Sequence, residues 1–441
     1  NIKTHILPYG LVKDLIKWCV SQGTTFQLEG FHDTELQEQL DENSYSAQIK
    51  ENMKNAPFEI RDYQDRAVRA ALTNHKGILL SCTSSGKSLM IYNIIRCLRK
   101  KNYKKILLIV PNIMLVDQMF DDFTDYGYED MEHEVERLGG GHEAYFDKPV
   151  LISTWQSLQN KENDFFEKYD ALFIDEVHSV KGKELTRIAK LCENARFKIG
   201  TTGTLPSDKA DLLQIKSVMG DVIFELKSKE LIDVGVLTKI KIANIIAKYP
   251  SEFVMQNKGR SYPEEVKMVE EYEDRNKVLK MIIDHTDDKH NILILVNHLK
   301  HVKLMQEWFA TNYPDKKIST ITGAVKGSER AEIRTGIENE DGTILLATYQ
   351  TMSTGVNMPK LHDVILFANS KSKIKVLQSI GRGLRKHKTK DQIILYDIAD
   401  DLSYKTRTGR VIENYLMKHW HERMNYYKEQ EFPTITTSVE I

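Results

Sequence analysis

Short runs of consecutive apolar and β-branched residues recur along the chain, and stretches with helical spacing separate them. The runs form two series, 77–82, 105–110, 149–153, 171–175 and 197–201, followed by 291–296, 317–321, 343–348, 363–368 and 392–397. Continuous apolar strands that alternate with helices are typical of parallel sheets buried on both faces. The pattern therefore predicts two α/β domains in tandem, one for each series.

The segment before the first series has a weaker pattern. Residues 10–21 have apolar side chains at helical spacing, which predicts a helix. Residues 24–28 predict an extended run, and the polar stretch 33–55 predicts partly helical structure. We therefore expect a partial α+β segment ahead of the first domain.

Two further regions frame the second series. Between the series, 234–237 and 239–246 have strand patterns, and we place the domain boundary near Lys229. Residues 409–429 predict a helix, and the Thr- and Ser-rich tail after Pro433 is expected to be loose. The predicted division is 1–55 for the N-terminal segment, 56–228 and 229–405 for the two α/β domains, and 406–441 for the C-terminal helix and tail.

Composition excludes several classes of protein. The 41% hydrophobic and 28% charged residues are close to the average of globular domains. No apolar run approaches the roughly 20 residues that a membrane span needs, so we expect no membrane partner. The 62 basic and 63 acidic residues leave a net charge of −1, so any nucleic-acid track must be local. Four scattered cysteines without a C-x-x-C pair argue against a zinc ribbon or a disulfide framework and favour a reducing cytosol.

The start of the sequence has no initiator Met and no basic segment followed by an apolar one, which a secretory signal would have. We therefore expect the sequence to be a fragment whose true N-terminus lies upstream.

Residues 81–88, Ser-Cys-Thr-Ser-Ser-Gly-Lys-Ser, follow the first predicted strand and open a helix. This context is that of a Walker A loop, although Ser81 stands where the pattern has glycine. Lys87 can neutralise the β- and γ-phosphates of ATP, and the Ser88 hydroxyl can ligate Mg²⁺. A Ser-rich turn with a surface lysine is the alternative. The residues expected to contact the nucleotide here are Thr83, Ser84, Ser85, Gly86, Lys87 and Ser88.

Two adjacent carboxylates, Asp175 and Glu176, follow the fourth predicted strand. Ligands of open α/β sheets bind at the carboxyl ends of the strands. There Asp175 can hold Mg²⁺, and Glu176 can orient and deprotonate the attacking water. A solvated turn with a helix-capping aspartate is the alternative, but the Walker loop in the same predicted sheet favours the catalytic interpretation.

Residues 376–385 have the spacing Q-x-x-G-R-x-x-R, with Gln378, Arg382 and Arg385 in the polar positions. The two arginines are three positions apart and share one helix face, so both can point at a γ-phosphate. A solvated basic helix is the alternative. Together with the Walker loop and the paired acids, this motif resembles superfamily 2 helicases. The resemblance implies two RecA-like domains that close over ATP, with Gln378, Arg382 and Arg385 reaching it from the second domain.

Other stretches over residues 58–400 resemble motifs of this superfamily in the same order. The resemblance implies adenine contacts at Gln64 and Arg61, further nucleotide contacts at Gly355 and Asn357, and coupling of the ATP state to domain motion at His178, Thr202 and Thr204. It implies nucleic-acid contacts at Pro111, Gly139, Gly140, Thr154, Trp155, Thr322, Thr348, Lys386 and Lys388. For the glycines, a flexible turn is an equally good interpretation. In the final helix Trp420, Tyr426 and Tyr427 fit core packing better than base stacking.

Within this superfamily the chain closely resembles phage DNA helicases that act on branched DNA. This resemblance rests on residues 7–12, 138–141, 372–374 and 383–387. That similarity implies an ATP- and Mg²⁺-dependent motor for forks, Holliday junctions and R-loops in recombination, replication and repair. It also implies a monomer in the cytoplasm of the bacterial host, with single-strand-binding or recombination proteins as partners. Residues 1–55 would be the trailing part of a small duplex-binding domain. An RNA helicase, a duplex translocase and an ATP-gated binding clamp with little turnover are the alternatives. Glu176, Arg382 and Arg385 argue against the clamp.

Overall fold

The computed structural model describes residues 7–24, 42–206, 208–322, 333, 335–353, 360–368 and 386–441. The chain divides into two units, Asn1–Leu226 and Lys227–Ile441. The division falls two residues before the boundary expected from the sequence. Each unit is built around a seven-stranded sheet.

The sheet of the first unit consists of parallel strands whose order is β3-β4-β2-β5-β6-β1-β7. These strands are β1 (Lys76–Ser81), β2 (Ile106–Val110), β3 (Val135–Leu138), β4 (Val150–Thr154), β5 (Ala171–Asp175), β6 (Phe197–Thr202) and β7 (Val222–Leu226). The central strand β2 is buried at all five positions, as expected for a strand covered on both faces. All carboxyl ends therefore lie at one edge of the sheet.

Helices of the first unit connect and cover these strands. They are α1 (Val12–Ser21), α2 (Glu42–Asn52), α3 (Asp62–Asn74), α4 (Lys87–Lys100), α5 (Ile113–Asp125), α6 (Met131–Glu134), α7 (Trp155–Leu158), α8 (Asn163–Glu167), α9 (Lys183–Leu191) and α10 (Lys209–Met219), with short 3₁₀ segments at Tyr9–Leu11 and Val177–Lys181. Side-chain caps define some of their starts. The Asn112 side chain accepts a hydrogen bond from the Leu115 N–H, which stabilises the first turn of α5.

The second unit repeats the arrangement with the order β10-β11-β9-β12-β13-β8-β16. Its sheet strands are β8 (Lys239–Lys248), β9 (Ile292–Val296), β10 (Ile318–Ile321), β11 (Ile344–Thr348), β12 (Asp363–Leu366), β13 (Gln392–Asp401) and β16 (Thr434–Glu440), and a small hairpin is formed by β14 (Tyr404–Lys405) and β15 (Val411–Ile412). Its helices are α11 (Ser228–Asp233), α12 (Ser251–Asn257), α13 (Tyr262–Glu271), α14 (Asn276–Asp284), α15 (Leu299–Asn312), α16 (Tyr349–Ser353) and α17 (Tyr415–Glu429), with a 3₁₀ turn at Glu273–Arg275.

The C-terminal helix α17 packs on the sheet, and its aromatic residues belong to the core. Trp420 is 7% exposed and donates its indole N–H to the Asn244 side-chain oxygen, 3.2 Å away. Tyr426 and Tyr427 are also buried. The core interpretation of these residues is confirmed. The expectation of a loose tail is wrong, because β16 pairs in parallel with β8 and completes the sheet.

Other local expectations also need correction. Residues 234–237 form a turn after α11 and not a strand. Strands β3 and β7 were not expected. Most of the extended run at 24–28 lies outside the described residues. The four cysteines are free and buried. In the described ranges, every helix lacks either the length or the apolar character that crossing a membrane requires.

Candidate active site

The phosphate loop lies between β1 and α4, as predicted. Gly86 precedes the helix with φ +85°, and no side chain caps the first turn of α4. The N–H groups of that turn are therefore available to an anionic ligand, which the helix dipole also favours. A Cβ atom at Gly86 would collide with the side-chain amide nitrogen of Gln64, so both the backbone conformation and the close approach require glycine here.

Gln64 supports this loop. Its side-chain NH₂ donates to the Ser85 carbonyl at 2.9 Å, and its side-chain oxygen accepts from the Arg61 N–H at 3.0 Å. Gln64 is 3% exposed, whereas Arg61 is exposed and donates to the Tyr63 hydroxyl. These contacts attach the segment that contains Arg61 and Gln64 to the phosphate loop. The adenine contacts of Gln64 and Arg61 stay a prediction.

The paired acids stand at the end of β5, opposite the phosphate loop. Asp175 accepts a hydrogen bond from the Thr201 hydroxyl at 2.7 Å. The Glu176 carboxylate lies 4.0 Å from the Lys87 ammonium. Glu176 has a left-handed backbone with φ 51°, which costs on the order of 1 kcal/mol or more in a residue other than glycine. Strain of this kind is typical of functional positions.

The two carboxyl groups differ in their electrostatics. Burial and the neighbouring Glu176 carboxylate raise the pKa of Asp175, and Lys87 opposes that shift. Burial also acts to raise the pKa of Glu176, but Lys87, His178 and Thr202 outweigh it and lower the pKa. Glu176 is therefore ionised at neutral pH and can accept a proton. Asp175 gains most from an added cation, because a cation stabilises its buried anion.

The predicted coupling residues surround Glu176. The Thr202 hydroxyl lies 3.1 Å from the Glu176 carboxylate and 2.9 Å from Nδ1 of His178. The Thr204 N–H donates to the Thr202 hydroxyl at 3.4 Å. The segment also abuts the phosphate loop, since a Cβ at Gly203 would lie 3.7 Å from the Thr83 hydroxyl. His178, Thr202 and Thr204 thus connect the acids with the loop.

The residues of this site fit a nucleotide and Mg²⁺. Among the described residues, the buried hydroxyls of Ser81 and Ser85 have no hydrogen-bond partner, so the loop has unused polar groups. The Ser88 hydroxyl and the Asp175 carboxylate supply the oxygen donors that Mg²⁺ prefers. Lys87 supplies the positive charge that phosphate requires.

Five predicted nucleic-acid residues of the first unit lie at the carboxyl ends of three neighbouring strands. They are Pro111 after β2, Gly139 and Gly140 after β3, and Thr154 and Trp155 at the end of β4. The two glycines have φ +110° and +67°. A Cβ there would lie 2.8 Å from the Ser157 hydroxyl and 2.7 Å from Ile113, respectively, so the turn requires glycine.

Within this group Thr154 has a structural role as well. It is 1% exposed, and its hydroxyl accepts from the Ser157 N–H as the cap of α7. Trp155 packs partly against the core of the unit. The side chains of these two residues are therefore less open to a strand than the glycine turn is.

The structure does not bring all the predicted nucleic-acid residues of the second unit together. Thr348 ends β11 and Thr322 follows β10, both at the carboxyl edge, where Thr348 is 5% exposed and hydrogen-bonded to Thr351. Lys386 and Lys388 precede β13 and are exposed. Because the strands are parallel, the two lysines lie at the opposite, amino edge. The nucleic-acid contacts of these residues stay predictions.

Several predicted residues lie outside the described residues. They are Gly355, Asn357, Gln378, Arg382 and Arg385. Their contacts with ATP stay predictions.

One contact of the site was not expected from the sequence. The Ser88 hydroxyl, a predicted Mg²⁺ ligand, is 2.8 Å from the Tyr126 hydroxyl. Tyr126 is 38 positions away in sequence and lies at the end of α5. No spacing or motif signals such a long-range contact.

Comparisons with known proteins agree with this geometry. A family model described as "Type III restriction enzyme, res subunit" matches residues 57–207, and "Helicase conserved C-terminal domain" matches residues 274–387. The first match contains the phosphate loop and the paired acids. The second contains the arginine motif.

Individual proteins extend the likeness to the whole chain. The ATP-dependent DNA helicase uvsW of Enterobacteria phage T4 is 31% identical over 99% of this chain and 89% of that protein. The Type ISP restriction-modification enzyme LlaBIII bound to DNA has a TM-score of 0.63 at 15% identity, over 88% of this chain and 32% of that chain. S. cerevisiae Dbp5 bound to RNA and ADP BeF3 has a TM-score of 0.55 at 13% identity, over 90% and 93%.

The two solved structures show the fold alone, and they confirm the prediction of tandem RecA-like α/β domains. The similarity to the T4 protein covers 99% of this chain and so runs through both units. The predicted membership is therefore confirmed, and this chain belongs to the superfamily 2 helicases, in the family of the phage T4 helicase uvsW.

Proposed function

We propose that this helicase is an ATP-driven motor that remodels branched DNA, namely forks, Holliday junctions and R-loops. One observation carries the proposal. In the sheet of the first unit, β5, β6 and β1 hold the hydrolytic residues, and the adjacent β2, β4 and β3 hold the candidate nucleic-acid turns. Both sets lie at the carboxyl edge of the sheet. A conformational change in the hydrolytic residues would therefore take place next to the candidate nucleic-acid turns.

Membership of the helicase family brings with it the use of ATP. For its hydrolysis we assign Mg²⁺ to Ser88 and Asp175, where it would offset phosphate charge. Lys87 neutralises the β- and γ-phosphates. Glu176 orients the attacking water and accepts its proton, and Thr202 and His178 hold that carboxylate in place.

The second unit completes the site in this proposal. Arg382 and Arg385 stabilise the charge that develops on the γ-phosphate, and Gln378 positions them and the water. Gly355 and Asn357 approach the nucleotide. Closure of the two units on ATP and their opening after hydrolysis would then move a bound strand. The support is the match of residues 274–387 to the helicase C-terminal domain.

The choice of DNA rests on the similarity to the T4 DNA helicase over nearly the whole chain. From the same similarity we propose branched DNA as the substrate and a monomer that works in the host cytoplasm. We also propose single-strand-binding or recombination proteins as partners. The net charge of −1 supports a local track of phosphate contacts, because no global field attracts the protein to DNA.

The test is binding and unwinding of forked DNA, four-way junctions, blunt duplex and matched RNA over a range of salt concentrations. We expect forked and four-way DNA to be preferred over both other substrates. Each phosphate contact should steepen the salt dependence of binding to duplex by about 0.9 log units per log unit of salt. Unwinding of RNA without a response to DNA would replace the proposal with an RNA helicase. Binding without turnover would replace it with a clamp.

Lys386 and Lys388 provide an internal control for the location of the track. If DNA follows the carboxyl edges, replacing both lysines with glutamine should leave the salt dependence unchanged. If DNA reaches the amino edge of the second sheet, the same double variant should flatten the salt dependence by up to about two log units per log unit. The ATP turnover at saturating DNA should stay the same in either case.

A further inference from the structure

We infer that Tyr126 is a positioning residue for the metal-binding hydroxyl of Ser88, and that helix α5 connects this contact with the candidate nucleic-acid turn. The inference rests on the proposed function for the identity of the ligands at the two ends. It adds a specific residue and a specific element to that function.

The first part concerns the C-terminal end of α5. The hydroxyls of Tyr126 and Ser88 are 2.8 Å apart, which is the normal length of an O–H···O hydrogen bond. Ser88 lies in the first turn of α4, directly after Lys87. A hydroxyl has one proton and can rotate freely about its C–O bond. The Asp122 carboxylate, on the same helix, also hydrogen-bonds both hydroxyls. Tyr126 and Asp122 together therefore decide in which direction the lone pairs of Ser88 point.

The ring of Tyr126 is held independently of its hydroxyl. It packs edge-on against Tyr92 and Phe58, with ring centroids 5.5 and 5.8 Å apart. Edge-to-face pairs of this kind stabilise by about 0.5–1.5 kcal/mol each. Removal of the hydroxyl alone should consequently leave the ring where it is and alter only the contacts of that hydroxyl with Ser88 and Asp122.

The second part concerns the N-terminal end of the same helix. Ile113, the first residue of α5, lies against Gly140, where a Cβ would come within 2.7 Å of its side chain. One turn further on, Asp117 forms an ion pair with Arg137 at 2.8 Å and contacts His142 at 2.8 Å. Arg137 and His142 flank the glycine turn. The turn and α5 are therefore connected by an apolar contact, the ion pair of Asp117 with Arg137 and the hydrogen bond of Asp117 with His142.

These two ends belong to one helix of 13 residues, which spans about 20 Å at 1.5 Å per residue. A helix transmits a small displacement along its axis because its backbone hydrogen bonds resist compression. A strand that shifts the glycine turn should thus shift Tyr126 and reorient the Ser88 hydroxyl. Partners that orient a metal ligand change metal affinity by about 10- to 100-fold when they are removed.

The test compares Tyr126→Phe with Tyr128→Phe. Tyr128 belongs to the same aromatic cluster, and its hydroxyl donates to Glu134 at 2.7 Å without contacting Ser88. Binding of a fluorescent ADP analogue is measured at increasing Mg²⁺ concentration without nucleic acid. We expect Tyr126→Phe to raise the half-saturating Mg²⁺ concentration by about 10-fold. Tyr128→Phe should match the unmodified protein. Equal Mg²⁺ dependence in the two variants would overturn the role of Tyr126.

The connection through α5 is measured by repeating the titration with forked DNA. In the unmodified protein, DNA should lower the half-saturating Mg²⁺ concentration by about fivefold or more. Tyr126→Phe and Asp117→Asn should both abolish this response, and only Tyr126→Phe should alter the titration without DNA. A DNA response that persists in both variants would overturn the connection.

The outcomes also separate this inference from the proposed function. The role of Tyr126 is decided by nucleotide binding without DNA, whatever the substrate of the motor. Unwinding of forked DNA with an unchanged titration in Tyr126→Phe would retain the proposed function and reject the inference. Failure of DNA to bind or stimulate would reject the proposed function and the connection through α5, and the titration without DNA would still decide the role of Tyr126.

Discussion

The strands β5 and β13 are both inner strands, fourth and fifth in the order of their sheets, yet their acidic residues have different roles. In the first unit, Asp175 and Glu176 have hydroxyl and histidine neighbours, and the Lys87 ammonium is 4.0 Å away. In the second unit, Asp400 pairs with Arg275 through bonds of 2.7 and 3.0 Å, and the Tyr249 hydroxyl donates to it at 2.7 Å.

Asp397 of β13 repeats the arrangement of Asp400. Arg423 of α17 donates to both of its oxygens at 2.7–3.1 Å, and the Tyr427 hydroxyl donates at 2.6 Å. Asp397 and Asp400 are both fully buried. A buried carboxylate with its own guanidinium has no need of a further cation, and it ties helix to sheet.

The difference lies in local charge. Two carboxylates face one lysine ammonium at the end of β5, so that edge attracts an additional cation. Asp397 and Asp400 each have one arginine partner, which neutralises the charge. Acidic residues at a sheet edge without a matching cation are therefore candidates for catalysis or metal binding. Acidic residues that have a cationic partner are expected to stabilise the fold.

The largest effect is expected from replacing an acidic residue that has no matching cation. Glu176→Gln should lower ATP turnover by about 10²- to 10⁴-fold, because the general base is lost. ATP binding should persist, whereas Lys87→Ala should lose it because the phosphate charge is no longer neutralised. Glu176→Gln should not lower the stability of the first unit, because it removes a charge beside Asp175. Nucleotide binding and turnover are measured for both variants, and identical behaviour of the two would contradict the assigned roles.

The arginines of the second unit extend the comparison. Arg385→Ala should lower the DNA-stimulated turnover by about 10³-fold, because an arginine finger acts in the transition state, and Arg382→Ala should behave similarly. Both variants should bind ATP and keep their stability. An unchanged turnover would show that other residues complete the site.

Arg275 should have the opposite phenotype. Arg275→Met leaves Asp400 buried without its cation, which should cost about 3–5 kcal/mol of the stability of the second unit. Hydrogen exchange of peptides from β13 measures this loss. The double variant Arg275→Met/Asp400→Leu should recover much of it, because no unpaired charge remains. A normal exchange pattern in the single variant would mean that this ion pair is not structural.

A smaller effect concerns Lys390, which is buried beside β13 and donates to the Leu361 carbonyl at 2.8 Å. Burial lowers the pKa of Lys390 to about 7. Between that value and the ordinary 10.5, the unfolded chain binds the proton and the folded chain does not, so stability rises with pH.

Lys390→Met should remove this dependence and stabilise the second unit at pH 7 by about 1–3 kcal/mol. The difference between the variant and the unmodified protein is measured by hydrogen exchange at pH 7 and pH 9, after correction for the intrinsic exchange rates. A difference that stays constant with pH would show that Lys390 is charged in the folded chain over this range.

The sequence predicts the chemistry well where the residues are close together in the chain. The phosphate loop, the paired acids and most of the strands have local patterns, and the structure contains them within one or two residues. Strands β3 and β16 escaped prediction for a physical reason. The first has only four residues, and the second is an exposed edge strand of Thr and Ser, so neither has a continuous apolar run.

Long-range pairing explains most of the remaining differences. The stretch 396–401 contains three aspartates after apolar residues, much like the end of β5. Only the contacts with Arg423 and Arg275 reveal the structural role of two of them, Asp397 and Asp400. Similarly, the basic stretch around Lys388 is near the arginine motif in sequence but lies at the amino edge of the sheet. Proximity in sequence does not determine the edge of a sheet at which a side chain lies.

ATP turnover measured with forked DNA, with matched RNA and without nucleic acid tests the central claim most directly. The unmodified protein and Glu176→Gln are compared at saturating Mg²⁺. We predict turnover that forked DNA stimulates at least about tenfold, with little response to RNA, and a loss of about 10²-fold or more in Glu176→Gln. Stimulation by RNA alone, or equal turnover in the two proteins, would contradict the account.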